Sequence, residues 1–155
     1  MDVYTDAGFD YNTKTIGIGI LIIDNDKEER LGFNFSKDDV IKRFKINPSP
    51  HIGEFLAIYL ATKHTQKYKL KINLFSDCLT VLNKLTSNKE VIKNIKINKE
   101  IDYYHIKGHC GVYGNLIADK IASNMLKSKQ KIKKHKHLKN LYSIKQSLEY
   151  YEKIV

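Results

Sequence analysis

The sequence has few of the residues that mark secreted, membrane-spanning or disordered chains. It contains no tryptophan, two prolines and two cysteines in 155 residues. Cys78 and Cys110 form no CxxC pair and offer no disulfide framework, which favours a reduced compartment such as the cytoplasm. No apolar run approaches the roughly 18 residues of a membrane span, and the first residues lack the basic start and apolar core of a secretion signal. We therefore expect a cytoplasmic protein without a membrane partner.

Acidic residues are also scarce relative to basic ones. The 17 Asp and Glu stand against 27 Lys and Arg, so the formal net charge is +10 at pH 7. An excess of this size favours a polyanionic partner, either nucleic acid or an acidic membrane surface. Hydrophobic residues make up 42% and charged residues 28%, which is typical of a globular chain and excludes a mainly disordered one. The length suits one compact domain.

The hydrophobic pattern predicts an α/β protein with a mixed sheet and helices on its faces. Three strands joined by short turns come first and indicate an antiparallel meander. In the second of them glycine alternates with isoleucine, which indicates close backbone neighbours. Residues 38–46 fit neither pattern clearly, and Pro48 and Pro50 mark a break. The predicted strands are 3–5, 16–23, 31–35, 70–75 and 102–106, and the helices cover 51–67, the stretch from Val81 to Leu85 and the stretch from Leu116 to Met125.

The composition changes after Leu126. Residues 127–139 hold seven lysines, two histidines and no acid. Further on, apolar residues recur at helical spacing, and a helix there would either pack on the domain or meet a partner. We predict a domain over 1–126 and a tail over 127–155, in which a basic connector or helix extension over 127–137 precedes an amphipathic helix over 138–154.

Three carboxylates stand alone in lysine-rich surroundings, and a fourth lies at the end of the first predicted strand. Asp6 and Asp77 follow predicted strands, Glu54 opens the first helix, and Asp119 lies on the last one. Ligand crevices of such sheets lie outside the carboxyl ends of the strands. Four acids gathered there repel one another unless hard cations such as Mg²⁺ or Mn²⁺ bind them. Two such ions about 4 Å apart can clamp the attacking and leaving oxygens in phosphodiester hydrolysis.

Each of these acids also has a local interpretation. Asp77 could cap the helix that follows it, and Glu54 could interact favourably with the dipole of its own helix. Taken singly, the local role is the commoner one. Taken together and in this order, the four acids favour a metal site.

Five segments resemble, in order, the motifs of type 1 ribonuclease H. Glu54 falls between two Asp, whereas integrases and transposases of the same superfamily place their Glu last. The resemblance implies a ribonuclease H-like mixed five-stranded sheet, with three antiparallel and two parallel strands, flanked by helices and followed here by an extra C-terminal helix. It covers the chain from about Met1 to Met125. The matching segments are 4–8 (YTDAG), 51–54 (HIGE), 75–78 (FSDC), 108–111 (GHCG) and 114–122 (GNLIADKIA).

The resemblance also implies a reaction. Asp6, Glu54, Asp77 and Asp119 would hold two Mg²⁺ ions, with Mn²⁺ as a possible replacement. The ions would activate a water molecule and stabilise the leaving 3′ oxygen as the RNA strand of an RNA/DNA hybrid is cut. His109, in its loop, would assist proton transfer or product release.

A set of substrate contacts follows from the same resemblance. Asn12 lies where the family has an Asn that touches the substrate backbone, and Ser49 lies near an expected phosphate; both also suit turn positions. His51 stands where many members have an Asn or Gln that reads ribose 2′-OH groups. The stretch from Asp77 to His109 is too short for the basic handle helix of some members, so the C-terminal lysines either replace it or form a solvated face. The predicted contacts are Asn12, Ser49, His51, Asn115, Lys131, Lys133 and Lys134.

Other functions stay open at this point. A non-catalytic protein could bind hybrids or double-stranded nucleic acid, although four acids facing a polyanion argue against it. A structure-specific DNA nuclease on the same fold is the second alternative, because Pro50 and His51 replace the pair that distinguishes RNA from DNA. A protein that binds acidic membranes is the third, and polar residues interrupt the apolar stripe that it would need. We expect an RNA/DNA hybrid as the partner and no obligate protein partner.

Overall fold

The centre of the fold is one mixed sheet. The computed structural model describes residues 1–87, 100–127, 132–138 and 151–154. The order of strands across the sheet is β6-β3-β2-β1-β4-β5-β7. The strands are β1 (Asp2–Asp10), β2 (Thr15–Asp24), β3 (Lys27–Phe35), β4 (Ile72–Ser76), β5 (Ile101–Ile106), β6 (Ile132–Leu138) and β7 (Tyr151–Ile154), and the helices are α1 (Lys37–Phe44), α2 (Pro50–Thr65), α3 (Leu79–Thr86) and α4 (Tyr113–Lys127).

The five predicted strands and the three predicted helices of the domain are confirmed. Strands β1, β2 and β3 pair antiparallel, β4 pairs parallel with β1, and β5 pairs parallel with β4. The segment that the hydrophobic pattern left undecided forms α1. Ser36 caps this helix in a capping box with Asp39, and Lys45 ends it in a left-handed conformation. Local capping therefore defines both ends of this eight-residue helix.

The prediction for the C-terminal part is wrong where the structure describes it. Residues 132–138 form β6 on the free edge of β3 rather than a connector or helix extension, and residues 151–154 form β7 on the free edge of β5 rather than the end of a helix. Residues 139–150 of the predicted helix lie outside the described residues. Both strands pair with backbone groups that an uncovered edge would leave unpaired. The sheet thus gains two strands, while the predicted division of the chain at 126/127 stays a prediction.

Helices cover both faces of the sheet. The isoleucines of β2, from Ile16 to Ile22, pack with α2 in one cluster of buried residues. Tyr4, Phe75 and Ala118 belong to a second cluster on the α4 side. Because side chains of a strand alternate between faces, this arrangement explains the Gly-Ile pattern of β2.

The glycines of β2 bring α4 against the sheet. A methyl group built on Gly19 would overlap the carbonyl oxygen of Ala118, and one built on Gly17 would overlap that of Ala122. The expectation of close backbone neighbours is therefore correct at these two positions. None of the helices in the described ranges has the length and apolar character needed to cross a membrane.

Candidate active site

Two of the candidate acids lie at the point where the parallel pairing of β1 and β4 ends. The last residue pair between β1 and β4 is Tyr4 with Phe75. Asp77 directly follows β4, as predicted. Asp6 lies two residues beyond the last pair but is still inside β1, which continues to Asp10 beside β2. The strand is therefore longer than predicted, and Asp6 occupies the split between β1 and β4 instead of a strand end.

Helix α2 brings the third acid to the same place. Ser49 caps this helix by accepting a hydrogen bond from the backbone nitrogen of Ile52 at 3.2 Å. Glu54, the fifth residue of the helix, consequently points toward β1 from the first turns. Gly53 allows the close approach, since a methyl group there would lie 3.2 Å from the Cβ of Ala7. A side chain at 53 would push the helix away from the strand.

The three carboxylates form one compact cluster. Oxygen atoms of Asp6, Glu54 and Asp77 all lie within 4.8 Å of one another. Asp6 is 8% exposed and Glu54 is 9% exposed, whereas Asp77 is half-buried. The backbone nitrogen of Ala7 donates to Asp6 Oδ1 at 2.9 Å and to Glu54 Oε1 at 3.3 Å. One amide therefore orients two carboxylates.

Burial and mutual repulsion make this cluster costly to ionise. Burial, followed by the charge of Asp77, raises the pKa of Asp6 to about 7. Burial, followed by the charge of Asp6, raises the pKa of Glu54 well above its ordinary value. Burial also raises the pKa of Asp77. None of the ion pairs in the described part of the chain includes these three acids, so protein cations do not neutralise them.

The donor set fits a hard divalent cation. Glu54 Oε2 is buried and has no hydrogen-bond partner among the described residues. Three carboxylates supply only oxygen donors, the ligands that Mg²⁺ and Mn²⁺ prefer. A bound cation would satisfy the unpartnered oxygen and offset the repulsion between the acids.

The fourth predicted ligand lies beside the cluster rather than in it. Asp119 is half-buried on α4 and is not among the acids whose oxygens lie within 4.8 Å of one another. Its negative charge nevertheless contributes to the raised pKa of both Asp6 and Asp77. The structure therefore brings three of the four acids together and places the fourth within electrostatic reach.

The loop between β5 and α4 lies against Asp77. A methyl group on Gly108 would be 3.1 Å from Asp77 Oδ2, so the backbone touches the carboxylate there. The next residue, His109, has a left-handed backbone with φ of 57°, and Gly111 has φ of 87°. The charge of His109 acts to lower the pKa of Asp77 against the effect of burial. This loop thus places an imidazole near the cluster.

Sequence reasoning missed a second histidine near Asp77. His105 lies on β5 in register with Ser76, the residue before Asp77. Like His109, it acts to lower the pKa of that carboxyl. Its position near the carboxyl end of the last predicted strand was the available signal, because polar residues there face the crevice of an α/β sheet.

The predicted substrate contacts in the first half of the chain lie in the β1–β2 turn and at the start of helix α2. Asn12 is exposed in the β1–β2 turn, where its backbone nitrogen donates to Asp10 Oδ1 at 2.8 Å. Ser49 is the helix cap described above, and His51 is exposed in the first turn of α2. A substrate role for these residues stays a prediction.

The remaining predicted contacts lie on α4 and in the C-terminal part. Asn115 is on α4 and only 5% exposed. Lys133 and Lys134 are on β6, in register with Gly32 and Leu31. Lys131 lies outside the described residues. Their roles also stay predictions.

Several solved structures share this fold. RNase H1 from the halophilic archaeon Halobacterium salinarum aligns with a TM-score of 0.59 and 15% identity, over 81% of this chain and 96% of that one. The prototype foamy virus protease-reverse transcriptase aligns with a TM-score of 0.57 and 19% identity, over 83% of this chain and 21% of that one. A foamy viral protease-reverse transcriptase in complex with dsDNA aligns with a TM-score of 0.52, 16% identity, and coverage of 80% and 90%. The protein therefore has a ribonuclease H-like fold.

The amino-acid sequence also shows to which family with this fold the protein belongs. A model of the RNase H family matches residues 1–127. The chain belongs to the RNase H family, as the motifs predicted. No curated protein sequence matches it. Family and fold together support nuclease activity on this scaffold.

Proposed function

We propose that this RNase H family member is a divalent-metal-dependent endoribonuclease that hydrolyses the RNA strand of RNA/DNA hybrids. One observation carries the proposal: Asp6, Glu54 and Asp77 place oxygen atoms within 4.8 Å of one another, and an oxygen of buried Glu54 has no protein partner among the described residues. A protein that only binds nucleic acid gains nothing from holding buried acids against a polyanion. A nuclease that uses metal ions requires such acids.

In this proposal the chain's own residues hold and orient the metal ions. Asp6, Glu54 and Asp77 would be ligands, and Asp119 would complete the set from α4. When bound, two Mg²⁺ or Mn²⁺ ions supply an activated water and stabilisation of the leaving 3′ oxygen. The Ala7 amide keeps the carboxylates of Asp6 and Glu54 turned toward each other before any ion arrives.

The substrate assignment rests on charge and on the family. A formal net charge of +10 suits the phosphate backbone of a duplex. We assign Asn12, Ser49, His51 and Asn115, with Lys131, Lys133 and Lys134, as substrate contacts.

Cys78 and Cys110 are both free thiols, which agrees with a reduced compartment, and we place the activity in the cytoplasm.

The test is a substrate comparison with purified protein. Strand-labelled RNA/DNA hybrid, duplex DNA and duplex RNA are each incubated with Mg²⁺ and with EDTA. We expect internal cuts in the RNA strand of the hybrid, in Mg²⁺ only. Salt-dependent binding without cleavage in any divalent ion would instead support a binding protein, and cleavage of duplex DNA would support a structure-specific DNA nuclease.

His109 is proposed to assist proton transfer or product release. Replacement of His109 by Asn should lower kcat about 100-fold, at the low end of the effect of a positioned proton-transfer group. Asn tolerates the left-handed backbone at this position, so the loop should keep its shape. Single-turnover and steady-state rates would separate the two roles, and Cys110→Ser in the same loop is the control. A variant that keeps more than half of the wild-type kcat would remove His109 from the mechanism.

A further inference from the structure

The β1–β2 ribbon projects beyond the parallel part of the sheet. Pairing between β1 and β4 stops at Tyr4, whereas pairing between β1 and β2 continues to Asp10 with Thr15. The six residues 5–10 therefore extend about 20 Å past the last β4 pair, at about 3.3 Å per residue. Asp6 lies near the base of this projection, and the turn at 11–14 forms its tip.

The tip carries an exposed aromatic platform with a cation. Tyr11 is 69% exposed, more than any other large hydrophobic side chain among the described residues. The ring of Phe9 meets the ring of Tyr11 edge to face, with 5.0 Å between centroids. Lys14 Nζ lies 5.8 Å from the centroid of each ring, within the range of a cation–π contact.

Backbone hydrogen bonds hold the tip in one shape. Asp10 Oδ1 accepts from the backbone nitrogens of Asn12 at 2.8 Å and Thr13 at 3.2 Å, and the Lys14 nitrogen donates to the Asp10 carbonyl at 2.7 Å. The nearby acid, Asp10, is thus engaged by turn amides. A fixed aromatic ring beside a lysine loses little conformational entropy when a partner covers it.

The chemistry of this platform fits the sugar-phosphate backbone of a duplex. Aromatic side chains pack on the apolar faces of nucleotides, and lysine pairs with phosphate. Tyr11 directly follows β1 and is five positions beyond Asp6, which corresponds to about 16 Å. A duplex whose axis runs along the ribbon would cover this distance in about five base pairs, at about 3.4 Å per base pair.

We propose that Tyr11 and Lys14 form a second contact with the duplex, about five base pairs from the cut, in which the Tyr11 ring packs on a sugar and Lys14 pairs with a phosphate. This inference rests on the proposed function and deepens it. If the contact exists, the enzyme requires a duplex long enough to reach it. Tyr11 and Lys14 then position the substrate by binding it. Neither residue touches the reacting phosphate.

The first experiment measures KM and kcat on a hybrid of about 20 base pairs, longer than the ribbon can span. Tyr11→Ala should raise KM about tenfold and leave kcat within about twofold, the scale of losing one aromatic contact with a nucleotide. Tyr11→Phe keeps the ring and should retain the wild-type KM. Leu70→Ala removes an exposed apolar side chain before β4, at the opposite end of the sheet, and is the matched control.

The lysine is tested by salt dependence. Lys14→Ala should reduce the slope of log KM against log salt by about 1, as expected for one lost phosphate contact. Lys69→Ala, at an exposed position near Leu70, should leave the slope unchanged.

Duplex length provides the decisive comparison. Shortening the hybrid to fewer than about four base pairs on one side of the cut should raise the wild-type KM to that of Tyr11→Ala and abolish the difference between them. Equal KM values for both proteins on the long hybrid would overturn the inference. If the wild-type protein fails to cleave, the proposed function fails, and fluorescence anisotropy on the same labelled hybrid still tests the contact. Equal Kd values for wild type and Tyr11→Ala would then overturn it.

Discussion

Replacement of Asp77 by Asn should reduce Mg²⁺-dependent cleavage of the hybrid about 1,000-fold, the upper scale for losing one group that stabilises transition-state charge. Asn has nearly the same shape, but its neutral carbonyl oxygen is a weaker ligand for a divalent cation than a carboxylate, and its amide nitrogen is no ligand. The side chain is half-buried at the end of β4 and makes no ion pair in the described part of the chain, so the fold should persist. Cleavage is measured under single-turnover conditions, and binding by fluorescence anisotropy in Ca²⁺.

The expected signature is a loss of rate with little loss of binding. Affinity for the hybrid should stay within about threefold of wild type, because the lysines proposed to contact phosphates are unchanged. Asp26→Asn, an exposed acid in the β2–β3 turn, is the matched control and should cleave normally. If Asp77→Asn kept most of the activity, the assignment of metal-dependent chemistry to this cluster would be wrong.

Replacement of Asp6 by Asn should stabilise the metal-free protein above pH 7. The pKa of Asp6 rises from 3.8 to about 7 on folding, mainly because the side chain is buried. The folded state therefore binds this proton more tightly than the unfolded state does. The stabilisation that this proton gives to the folded state is fully present below about pH 4 and is lost as the pH rises through about 7. At pH 8.5 the free energy of unfolding of the variant should exceed that of wild type by roughly 1–3 kcal/mol, since one pKa unit corresponds to about 1.36 kcal/mol.

Urea unfolding in EDTA at several pH values measures this difference. The advantage of the variant should shrink toward zero as the pH falls to about 3, where the wild-type carboxyl is protonated in both states. Added Mg²⁺ should stabilise wild type more than the variant, because a ligand that binds only the native state raises its stability. Asp26→Asn should show neither effect. If the difference in unfolding free energy between wild type and Asp6→Asn did not change with pH, Asp6 would not be a carboxylate whose pKa rises on folding.

The sequence was sufficient to predict most of the domain. The alternation in β2 and the apolar residues of α2 and α4 follow from their burial, so these elements were found. Helix α1 has only eight residues, and its ends are defined by the capping box of Ser36 with Asp39 and by the left-handed Lys45, which a hydrophobic pattern does not register. β6 and β7 depend on pairing with distant edges of the sheet, and a lysine-rich segment such as 132–138 carries no local signal of that pairing.

The sequence predicted that Asp6, Glu54, Asp77 and Asp119 gather in one pocket. Oxygen atoms of the first three lie within 4.8 Å of one another, and Asp119 is not part of that group. The sequence could not show that β1 continues past Asp6, because Ala7 and Gly8 read as the end of a strand. It also could not show that Asp119 lies beside the cluster, since that distance depends on how α4 packs.

The packing of α4 on glycine fixes the spacing of Asp119 from Asp6 more firmly than the position of Glu54. Gly19 is the register partner of Asp6 and touches the backbone of Ala118, the residue before Asp119. Main chain against main chain therefore spaces Asp119 from Asp6, and repacking of large side chains elsewhere leaves this spacing intact. Glu54 depends instead on the fit of α2 against the isoleucines of β2. Substitutions in the core between α2 and β2 should therefore displace Glu54 and change metal affinity. The same substitutions should leave the position of Asp119 unchanged.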